Sequence, residues 1–528
     1  MKVNINNIII PIEKNQDREL IKEIEKRGIK RDNIERIIWN KRSIDSRKKN
    51  EIKFIYSIEI NLKKDIGVES LKDVTLTKEK EIPKREPLFV KKEVAVIGAG
   101  PAGLFAALRL AEYGYIPLVF ERGEDVDNRD KTNNRFINSD SADIKSLNPE
   151  SNVQFGEGGA GTYSDGKLNT RIKSEYIDKV FREFVACGAQ EEIMWDYKPH
   201  IGTDVLKIVV KNLREKIKSM GGKFYFNTRL NKLHIKDGRV SGIDIESNSK
   251  TEYLAIDSVI LAIGHSSRDT YRMLHSAGVH LENKPFAVGV RIEHLRSEID
   301  KMQYGKFAGH PSLGAATYSV TYNNKDRGTF SFCMCPGGVI VNAASEQGGT
   351  LVNRMSYSQR DGRFSNSAIV VGIKENEFGG ELFSGMKFQE NLERKTYDIG
   401  SNYGAVYQNV MDFIKNRETK AEIESSYEMR MNSYNINELF PSFITDNMKA
   451  AFEQWGKNKY FISNQVNLIA PETRTSAPVK ITRDIKGESV NVRGLYPIGE
   501  GAGYAGGIMS AAVDGLKIVD LGFTKISL

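Results

Sequence analysis

The stretch VAVIGAGPAGLFAALRLAEYGYIPLVFER, residues 94–122, decides the fold. Its first four residues are apolar, which is typical of a buried parallel strand, and a GxGxxG motif follows at once. Gly98 allows the tight turn out of the strand, and Gly100 lets the backbone approach a diphosphate. Gly103 lets the next helix pack closely on the strand. The spacing therefore predicts a Rossmann-like unit that binds a dinucleotide.

An acidic residue completes this pattern at the end of the second predicted strand. Glu121 lies 23 residues after Gly98, where a carboxylate can accept hydrogen bonds from the ribose hydroxyls of an adenosine. Pro101 and Ala102 open the helix between the two strands. The free N–H groups and the positive dipole at that helix end face the diphosphate.

Two further glycine clusters occur downstream. The segment from Gly156 to Gly161 repeats the GxGxxG spacing, but no clear strand precedes it and no amphipathic helix follows it. A loop that lines the ligand is therefore favoured, with a second nucleotide motif and a purely structural turn as alternatives. The segment from Gly499 to Gly507 has five glycines before the last predicted helix. That is more than a turn requires, so a close approach of backbone to ligand is favoured.

Taken together, these motifs resemble those of FAD-dependent oxidoreductases in the glutathione-reductase-like superfamily. The chain is most similar to the bacterial group of uncharacterised FAD-dependent dehydrogenases. The resemblance covers residues 40–528, and it implies FAD. The glycine loops contain no His or Cys that could form a covalent link to the flavin, so the FAD is expected to be bound non-covalently. Besides the first motif, it rests on ESNVQFGEGGAGTYSDGKLNTR (150–171), VILAIGH (259–265), PFAVGVRIEH (285–294), FSFCMCPGG (330–338), ETRTSAPV (472–479) and YPIGEGAGYAGGIMSAAVDG (496–515).

The resemblance also implies which residues hold the FAD. Glu500 stands where the superfamily has an acid beside the ribityl chain. The amides of Gly507 and Ile508 would face the flavin O2 edge, where a helix N-terminus stabilises negative charge on the reduced flavin. The expected cofactor-binding residues are Gly98, Gly100, Pro101, Ala102, Gly103, Glu121, Arg122, Gly159, Ala160, Gly161, Thr162, Lys167, Leu230, Ala262, Gly264, Gly499, Glu500, Gly507 and Ile508.

A second nucleotide fingerprint, with its own strand, GxGxxG and distal acid, is not found in the sequence. NAD(P)H therefore stays open as the electron donor, and it would have to enter a site without the familiar motif. The expected substrate is a small molecule, which a flavin and a substrate domain would oxidise, reduce or hydroxylate.

Cys333 and Cys335 are separated by a single residue. In a strand both thiols would point to one face, with Cα atoms roughly 6.5–7 Å apart. A disulfide there would be strained and easily reduced. A redox pair is one interpretation, and two small core residues beside a Pro-Gly-Gly turn are the simpler one. Three cysteines in total cannot form a disulfide framework, which is typical of a cytoplasmic protein. The spacing of histidines and cysteines does not indicate a metal site.

Three other residues are candidates for substrate binding or catalysis. Arg291 and Arg474 are candidates for binding a carboxylate or phosphate of the substrate, although a salt bridge inside the domain is the simpler explanation for each. His265 directly follows a predicted strand and would lie near the cofactor, where it is a candidate general acid or base.

The positive charge of the chain lies in its first 92 residues. They contain 24 Lys and Arg against 16 Asp and Glu, which accounts for the whole net charge of +8. The basic run from Lys41 to Lys49 indicates a solvated face or, alternatively, a surface that binds RNA or an acidic partner. The predicted elements of this module are strands at 6–12, 35–39 and 53–62, a helix at 17–27 and a linker at 77–92.

The complete prediction is an α/β fold with three units. A Rossmann-like FAD-binding domain is built from residues 91–268 and 491–528, with a mixed α/β substrate domain inserted at 269–490. A small basic α/β module precedes both, at residues 1–90. Residues 125–150 are polar and are predicted to form a loop.

The predicted function is that of an FAD-dependent oxidoreductase, a dehydrogenase or reductase of a small molecule. An RNA-directed flavoenzyme and a flavoprotein with a binding or sensing role are the alternatives. Apolar stretches are interrupted by charges and the N-terminus lacks a signal-peptide pattern, so a membrane span is not expected. The oligomeric state is left open.

Overall fold

The structure is a computed structural model that describes residues 1–68, 71–77, 85–139, 143 and 145–526. Its N-terminal module is an antiparallel sheet of strand order β2-β3-β1-β4, with one helix packed against it. Asn15 caps that helix by accepting a hydrogen bond from the Arg18 amide, and Leu20 and Ile24 are buried against the sheet. The elements are β1 (Lys2–Pro11), α1 (Gln16–Glu25), β2 (Ile34–Asp45), β3 (Lys53–Leu62) and β4 (Val74–Leu76).

Two predictions for this module were wrong in extent. β1 begins at Lys2. The polar residues that interrupt its alternating apolar pattern in the sequence lie in a β-bulge between Ile5 and Ile8. β2 runs on to Asp45, so the first half of the basic run belongs to a strand. The predicted linker lies partly outside the described residues. Its described part contains a further strand, β5 (Arg85–Pro87), which pairs with the last strand of the chain.

Two arginines of the basic run form contacts within the molecule. The Arg42 guanidinium lies over the Trp195 ring and forms an ion pair with Asp196 at 3.1 Å. The Arg47 side chain is paired with Asp45. These contacts involve two of the cations of the run, and no feature of the described residues supports the RNA alternative.

The next unit contains a parallel sheet of strand order β24-β12-β6-β7-β8. Its central strand is β6, from the first motif, and β12 and β24 join it from later parts of the chain. Helices α2 and α13 cover it, packed so closely that a Cβ at Gly515 would lie 2.3 Å from the Ala102 carbonyl oxygen. The elements are β6 (Glu93–Ile97), α2 (Pro101–Glu112), β7 (Ile116–Phe120), α3 (Val126–Ile137), α4 (Tyr176–Ala186), α5 (Thr203–Ser219), β8 (Lys223–Tyr225), β12 (Val259–Leu261), β24 (Leu495–Pro497), α13 (Ile508–Gly522) and β25 (Thr524–Ile526).

The helix α3 replaces the loop predicted for this part of the chain. Its N-cap Asp125 accepts hydrogen bonds from the amides of residues 127 and 128. Its buried face consists of Val126, Arg129, Asn133 and Phe136, which have helical spacing. Two of these four residues are polar, so the apolar periodicity that indicates a helix was hidden.

The inserted region is built around a mixed sheet of strand order β15-β16-β19-β14-β22-β20-β21, and β9 to β11 form an antiparallel sheet beside the parallel one. Central strand β14 is buried on both faces, including its polar residues Arg291, Glu293 and His294. The elements are β9 (Thr228–Lys236), β10 (Arg239–Ser247), β11 (Lys250–Leu254), α6 (Arg268–Ser276), β13 (Leu281–Asn283), β14 (Phe286–Leu295), α7 (Arg296–Tyr304), β15 (Thr321–Asn323), β16 (Gly328–Cys335), β17 (Val339–Asn342), β18 (Val352–Met355), β19 (Phe364–Ile373), α8 (Glu375–Phe378), α9 (Ser384–Ile399), β20 (Ala405–Asn409), α10 (Val410–Ile414), β21 (Met431–Ser433), α11 (Ile436–Leu439), α12 (Ser442–Trp455), β22 (Asn467–Glu472) and β23 (Val479–Ile481).

The fold is thus an α/β fold with a Rossmann-like domain, an inserted mixed α/β region and a small N-terminal α/β module, as predicted. One buried apolar cluster contains residues of the N-terminal sheet, such as Ile10, and of the inserted region, such as Phe307. Among the described residues, no helix combines the length and the apolar character that crossing a bilayer requires.

Candidate active site

A cavity of about 720 Å³ opens where the parallel strands β6, β12 and β24 end. Ligands bind at the carboxyl ends of the strands in open α/β sheets. The glycine loops form one side of this cavity. Residues of β16 and β18 from the inserted region form the other.

The first glycine loop has the geometry that its motif predicts. Gly98 has φ +102°, and a Cβ there would lie 2.4 Å from the Ala262 carbonyl oxygen. A Cβ at Gly103 would lie 2.0 Å from the Gly98 oxygen, so the helix packs directly on the turn. α2 begins at Pro101 without a side-chain cap, which leaves its first amides free to bind an anion.

Glu121 is buried at the end of β7 and lines the cavity. One carboxylate oxygen accepts a hydrogen bond from the Ala99 amide at 2.8 Å. The other accepts from the amides of Gly123 at 3.0 Å and Gly156 at 2.9 Å. Three backbone donors therefore hold the carboxylate in place, in addition to any bond that it makes to a ligand.

The second glycine loop is wrapped around one buried arginine that the sequence did not reveal. Arg129 donates hydrogen bonds to the carbonyl oxygens of residues 152, 153, 157 and 159, and it lies over the Tyr163 ring. A Cβ at Gly156 would lie 2.4 Å from the Arg129 Cδ. The helical spacing of α3 was the only available signal for this residue, and its polar composition concealed it.

The third glycine cluster and β12 meet at an acid and a histidine. His265 Nδ1 lies 3.2 Å from Glu500 Oε1, and both residues line the cavity. The His265 Nε2 atom is buried and has no hydrogen-bond partner within the described part of the chain. A side chain added at Gly264, Gly506 or Gly507 would point into open space.

The expected cofactor-binding residues line this cavity with three exceptions. Gly103 packs against the Gly98 turn. The Thr162 hydroxyl donates to the Glu157 carbonyl behind the second loop. Gly499 donates its amide to Asp514, and its Cα faces Ala102 of α2. These three residues shape the loops without lining the cavity.

Comparison with known proteins agrees with this geometry. A family model for pyridine nucleotide-disulphide oxidoreductases matches residues 92–292. A model for the C-terminal domain of FAD-dependent proteins matches residues 285–475. Residues 1–61 match a domain of unknown function. An uncharacterized protein of Clostridium beijerinckii is 44% identical over 532 residues, which covers 98% of each chain.

The chain belongs to the same family as this Clostridium beijerinckii relative, a family of FAD-dependent proteins. This FAD-dependent protein is an oxidoreductase of the flavoenzyme class, and FAD is its cofactor. The backbone-lined cavity fits such a flat, elongated group. Gly100 and Gly159 face each other, with 3.1 Å between a Cβ at Gly159 and the Gly100 Cα, and open space lies beside Gly506 and Gly507.

Solved flavoprotein structures are similar over most of the chain at low identity. CtdE in complex with FAD is 14% identical over 81% of this chain and 83% of its own, with a TM-score of 0.31. A geranylgeranyl bacteriochlorophyll reductase-like protein from Thermoplasma acidophilum is 12% identical over 81% and 78%, with a TM-score of 0.31. Values this low carry no argument about the reaction.

Cys333 and Cys335 do not lie as a regular strand would place them. β16 has a bulge between Phe332 and Cys335, and Cys333 takes a left-handed backbone with φ +46°. Both thiols are free. Cys333 lines the cavity, whereas Cys335 is fully buried, and burial raises its pKa to about 12. The prediction that both thiols point to the same face assumed a regular strand, and the strand is not regular at these residues.

Arg291 and Arg474 are both held in internal ion pairs. Arg291 is fully buried behind the cavity wall, where it pairs with Glu472 at 2.9 Å and donates to the Cys333 carbonyl. Arg474 reaches the cavity edge, but Glu393 takes up its guanidinium. The simpler explanation offered for each arginine is the one that the structure shows.

A buried polar cluster supports the floor of the cavity. Asp165 forms a two-point ion pair with Arg360 and accepts a hydrogen bond from the Ser356 hydroxyl. Lys167 lines the cavity with its Nζ 3.9 Å from the same carboxylate. Burial and the Arg360 charge lower the pKa of Lys167, although Asp165 opposes that shift.

Proposed function

We propose that this FAD-dependent protein is a dehydrogenase or reductase whose small-molecule substrate binds in the cavity beside Cys333. One observation carries the proposal. The same cavity is lined by Glu121 and Leu230 at the dinucleotide motif and by Phe332 and Cys333 of the inserted sheet. Its volume of about 720 Å³ lies within the range of small-molecule and cofactor sites.

The dinucleotide side would hold the cofactor. The free amides at the start of α2 would bind the diphosphate, and Glu121, fixed by its three amide donors, would accept hydrogen bonds from the adenosine ribose. The start of α13 at Ile508 would place its amides and positive dipole against the flavin. When bound, FAD supplies the group that accepts and returns a pair of electrons.

In this proposal His265 is the residue that holds or delivers a proton. Its Nδ1 is held by Glu500, which fixes the ring, and its buried Nε2 has no partner among the described residues. A ring nitrogen that is oriented in this way and left free can hold or deliver a proton at the cavity wall. Residues of β16 and β18 line the cavity wall that the inserted region contributes.

The test is an anaerobic titration of the purified yellow protein. We expect an absorbance band at about 450 nm and FAD in the supernatant after heat denaturation, which is the behaviour of a bound flavin. Titration with NADH and with NADPH should then bleach that band with one of the two donors. A flavin that neither donor reduces, but that dithionite does, would exclude a nicotinamide-dependent reductase and favour a dehydrogenase that draws electrons from its substrate.

The His265 assignment has its own measurement. His265→Gln keeps a donor at the ring position and removes the titratable group. We expect FAD content to be unchanged and the rate of flavin reduction to fall, with its pH dependence flattened. Because His275 is exposed on α6, His275→Gln is the matched control. An unchanged pH profile would remove His265 from the mechanism.

A further inference from the structure

Three cations line the part of the cavity that adjoins the inserted region, and among the described residues none of them has a carboxylate oxygen closer than 3.9 Å. They are Lys167, Lys198 and Arg354. Within the described ranges, neither Lys198 nor Arg354 forms an ion pair. The carboxylate nearest to Lys167, Asp165, is already engaged by Arg360 and Ser356. Uncompensated positive charge is costly in a partly closed cavity, because less water is present to solvate it.

Arg354 shows the lack of partners most clearly. It lies on β18, where its Nη1 donates to the Asn353 side chain at 2.7 Å. Its Nε is buried and has no acceptor among the residues that the structure describes. Glu472, the acid at the cavity wall on this side, is paired with Arg291 at 2.9 Å. A guanidinium has five N–H donors in a planar fork that suits an oxyanion, and most of these donors are unused here.

Lys198 and Lys167 extend the same positive region. The Lys198 ammonium donates to the Thr317 hydroxyl and has two further protons to give. Burial lowers the pKa of both lysines, and the positive charge of Arg360 lowers it further. An anion bound between these groups would offset that repulsion and satisfy the open donors.

We propose that Lys167, Lys198 and Arg354 bind an anionic group of the substrate, a carboxylate or a phosphate. This inference rests on the proposed function, since it names the substrate class of the same cavity. In the proposed function the diphosphate of FAD would lie at the start of α2, where the free backbone amides, and not these three cations, would bind it. The substrate is therefore an organic acid or a phosphate ester whose reacting carbon is held between these cations and the flavin.

Calorimetric titration of the FAD-loaded protein with simple anions tests the proposal. Inorganic phosphate and succinate are the two probes, and glycerol is the neutral one. We expect saturable binding of at least one anion and none of glycerol. The stronger of the two anions identifies phosphate or carboxylate as the recognised group. Binding of neither anion would overturn the proposal.

Substitutions test whether these residues bind the anion that the calorimetric titration detects. Arg354→Gln should weaken anion binding at least tenfold, and Arg354→Lys should restore part of it, because the charge is kept while the fork is lost. Arg363→Gln is the control, since Arg363 is a surface residue that is 61% exposed. Equal anion affinity in Arg354→Gln and the parent protein would overturn the assignment.

The two proposals fail in different ways. Calorimetry needs no electron transfer, and the FAD content of each sample is read from its absorbance. Anion binding to a protein whose flavin is reduced by neither nicotinamide nor dithionite would leave the subsite standing and refute the proposed redox function. Reduction of the flavin without anion binding would do the opposite.

Discussion

Glu121 and Gly156 are joined directly, through a hydrogen bond of 2.9 Å from the glycine amide to the Glu121 carboxylate. The same carboxylate accepts from Ala99 in the first glycine loop and from Gly123. One acid thus fixes the relative positions of two loops that face each other across the proposed diphosphate position. A residue that the motif assigns to ribose binding also assembles the site.

Replacing Glu121 by Ala should therefore reduce stability as well as FAD affinity. Each buried amide left without an acceptor costs roughly 1–3 kcal/mol, and the lost bonds to the ribose are of similar size. We expect FAD affinity to fall at least tenfold and the melting temperature of the apoprotein to fall as well. Flavin fluorescence titration and thermal unfolding measure the two effects.

A matched control distinguishes the effect of losing the Glu121 contacts from the effect of losing any glutamate in the same sheet. Glu93 stands at the exposed start of β6 in the same sheet and contacts Lys223 at the surface. Glu93→Ala should leave FAD affinity unchanged. If Glu121→Ala lowers neither the affinity nor the melting temperature, its carboxylate does not hold the loops together.

Gly98→Val should give a colourless protein. The position has φ +102°, and its Cβ would lie 2.4 Å from the Ala262 oxygen, so a β-branched residue cannot be accommodated without moving β12 or the turn. Gly380→Ala, at a site with no atom within 4 Å of the new Cβ, is the control and should stay yellow. The ratio of flavin to protein absorbance is the measurement, and a yellow Gly98→Val protein would contradict the structure of this loop.

The sequence predicted the dinucleotide side of the cavity well because its determinants are local. Turn, strand and helix between Gly98 and Glu121 follow from the glycine spacing and the apolar run, without knowledge of the rest of the chain. The second loop was predicted, from its glycines alone, to line the ligand, and in the structure it lines the cavity. What the pattern did not contain was Arg129, the residue around which that loop is built.

The inserted side was predictable only in outline, since its contacts are long-range. Arg291 and Glu472 are 181 positions apart, and no spacing rule connects them. The bulge at Cys333 depends on the register between β16 and β19, so alternation along one strand gave the wrong geometry. Arg354, which the further inference uses, lies in an unremarkable segment whose role becomes visible only beside the cavity.

Cys333 should be the one thiol that reacts readily with iodoacetamide in the folded apoprotein. It lines the cavity, whereas burial raises the pKa of Cys187 to about 11 and of Cys335 to about 12, which keeps both as unreactive thiols at neutral pH. Mass spectrometry should find one fast modification, slowed by bound FAD and absent in Cys333→Ser. Fast labelling of Cys335 would show that the wall of the cavity opens.

His294 should make the protein sensitive to acid between about pH 6.5 and pH 4. Burial lowers the pKa of His294 to about 4, whereas the unfolded chain binds that proton near its ordinary value of about 6.5. The unfolded state therefore holds more protons in this window, and stability falls as the pH falls. The full contribution is about 3 kcal/mol.

His294→Gln removes this titration and keeps a donor for the Phe461 carbonyl, which accepts from His294 at 2.9 Å. The difference between the melting temperatures at pH 7 and pH 4 should become smaller in this variant. In His275→Gln, which replaces an exposed histidine, the difference should remain that of the parent protein. An equally large difference in His294→Gln would mean that His294 is protonated inside the fold.

The N-terminal module touches the flavin-binding domain through a small aromatic contact. The rings of Trp39 on β2 and Trp195 are 5.8 Å apart. The Arg42 guanidinium also lies over the Trp195 ring and forms an ion pair with Asp196. The residues that line the cavity all lie after position 96. However, β5 pairs with β25 at the far end of the chain, so a cut at position 90 would remove a strand from the flavin-binding domain.

A protein that begins at Arg85 should therefore fold and retain FAD at the parent ratio. Its melting temperature should fall, because Trp195 and the apolar cluster shared with the inserted region become exposed. A second protein that begins at Lys91 lacks β5 and should be less stable still, since Leu88 also donates its amide to the Phe523 carbonyl. Flavin absorbance and thermal unfolding compare the two. If the protein from Arg85 loses its FAD, the module is part of the cofactor domain, and if the two truncations melt alike, the β5–β25 pair contributes nothing to its stability.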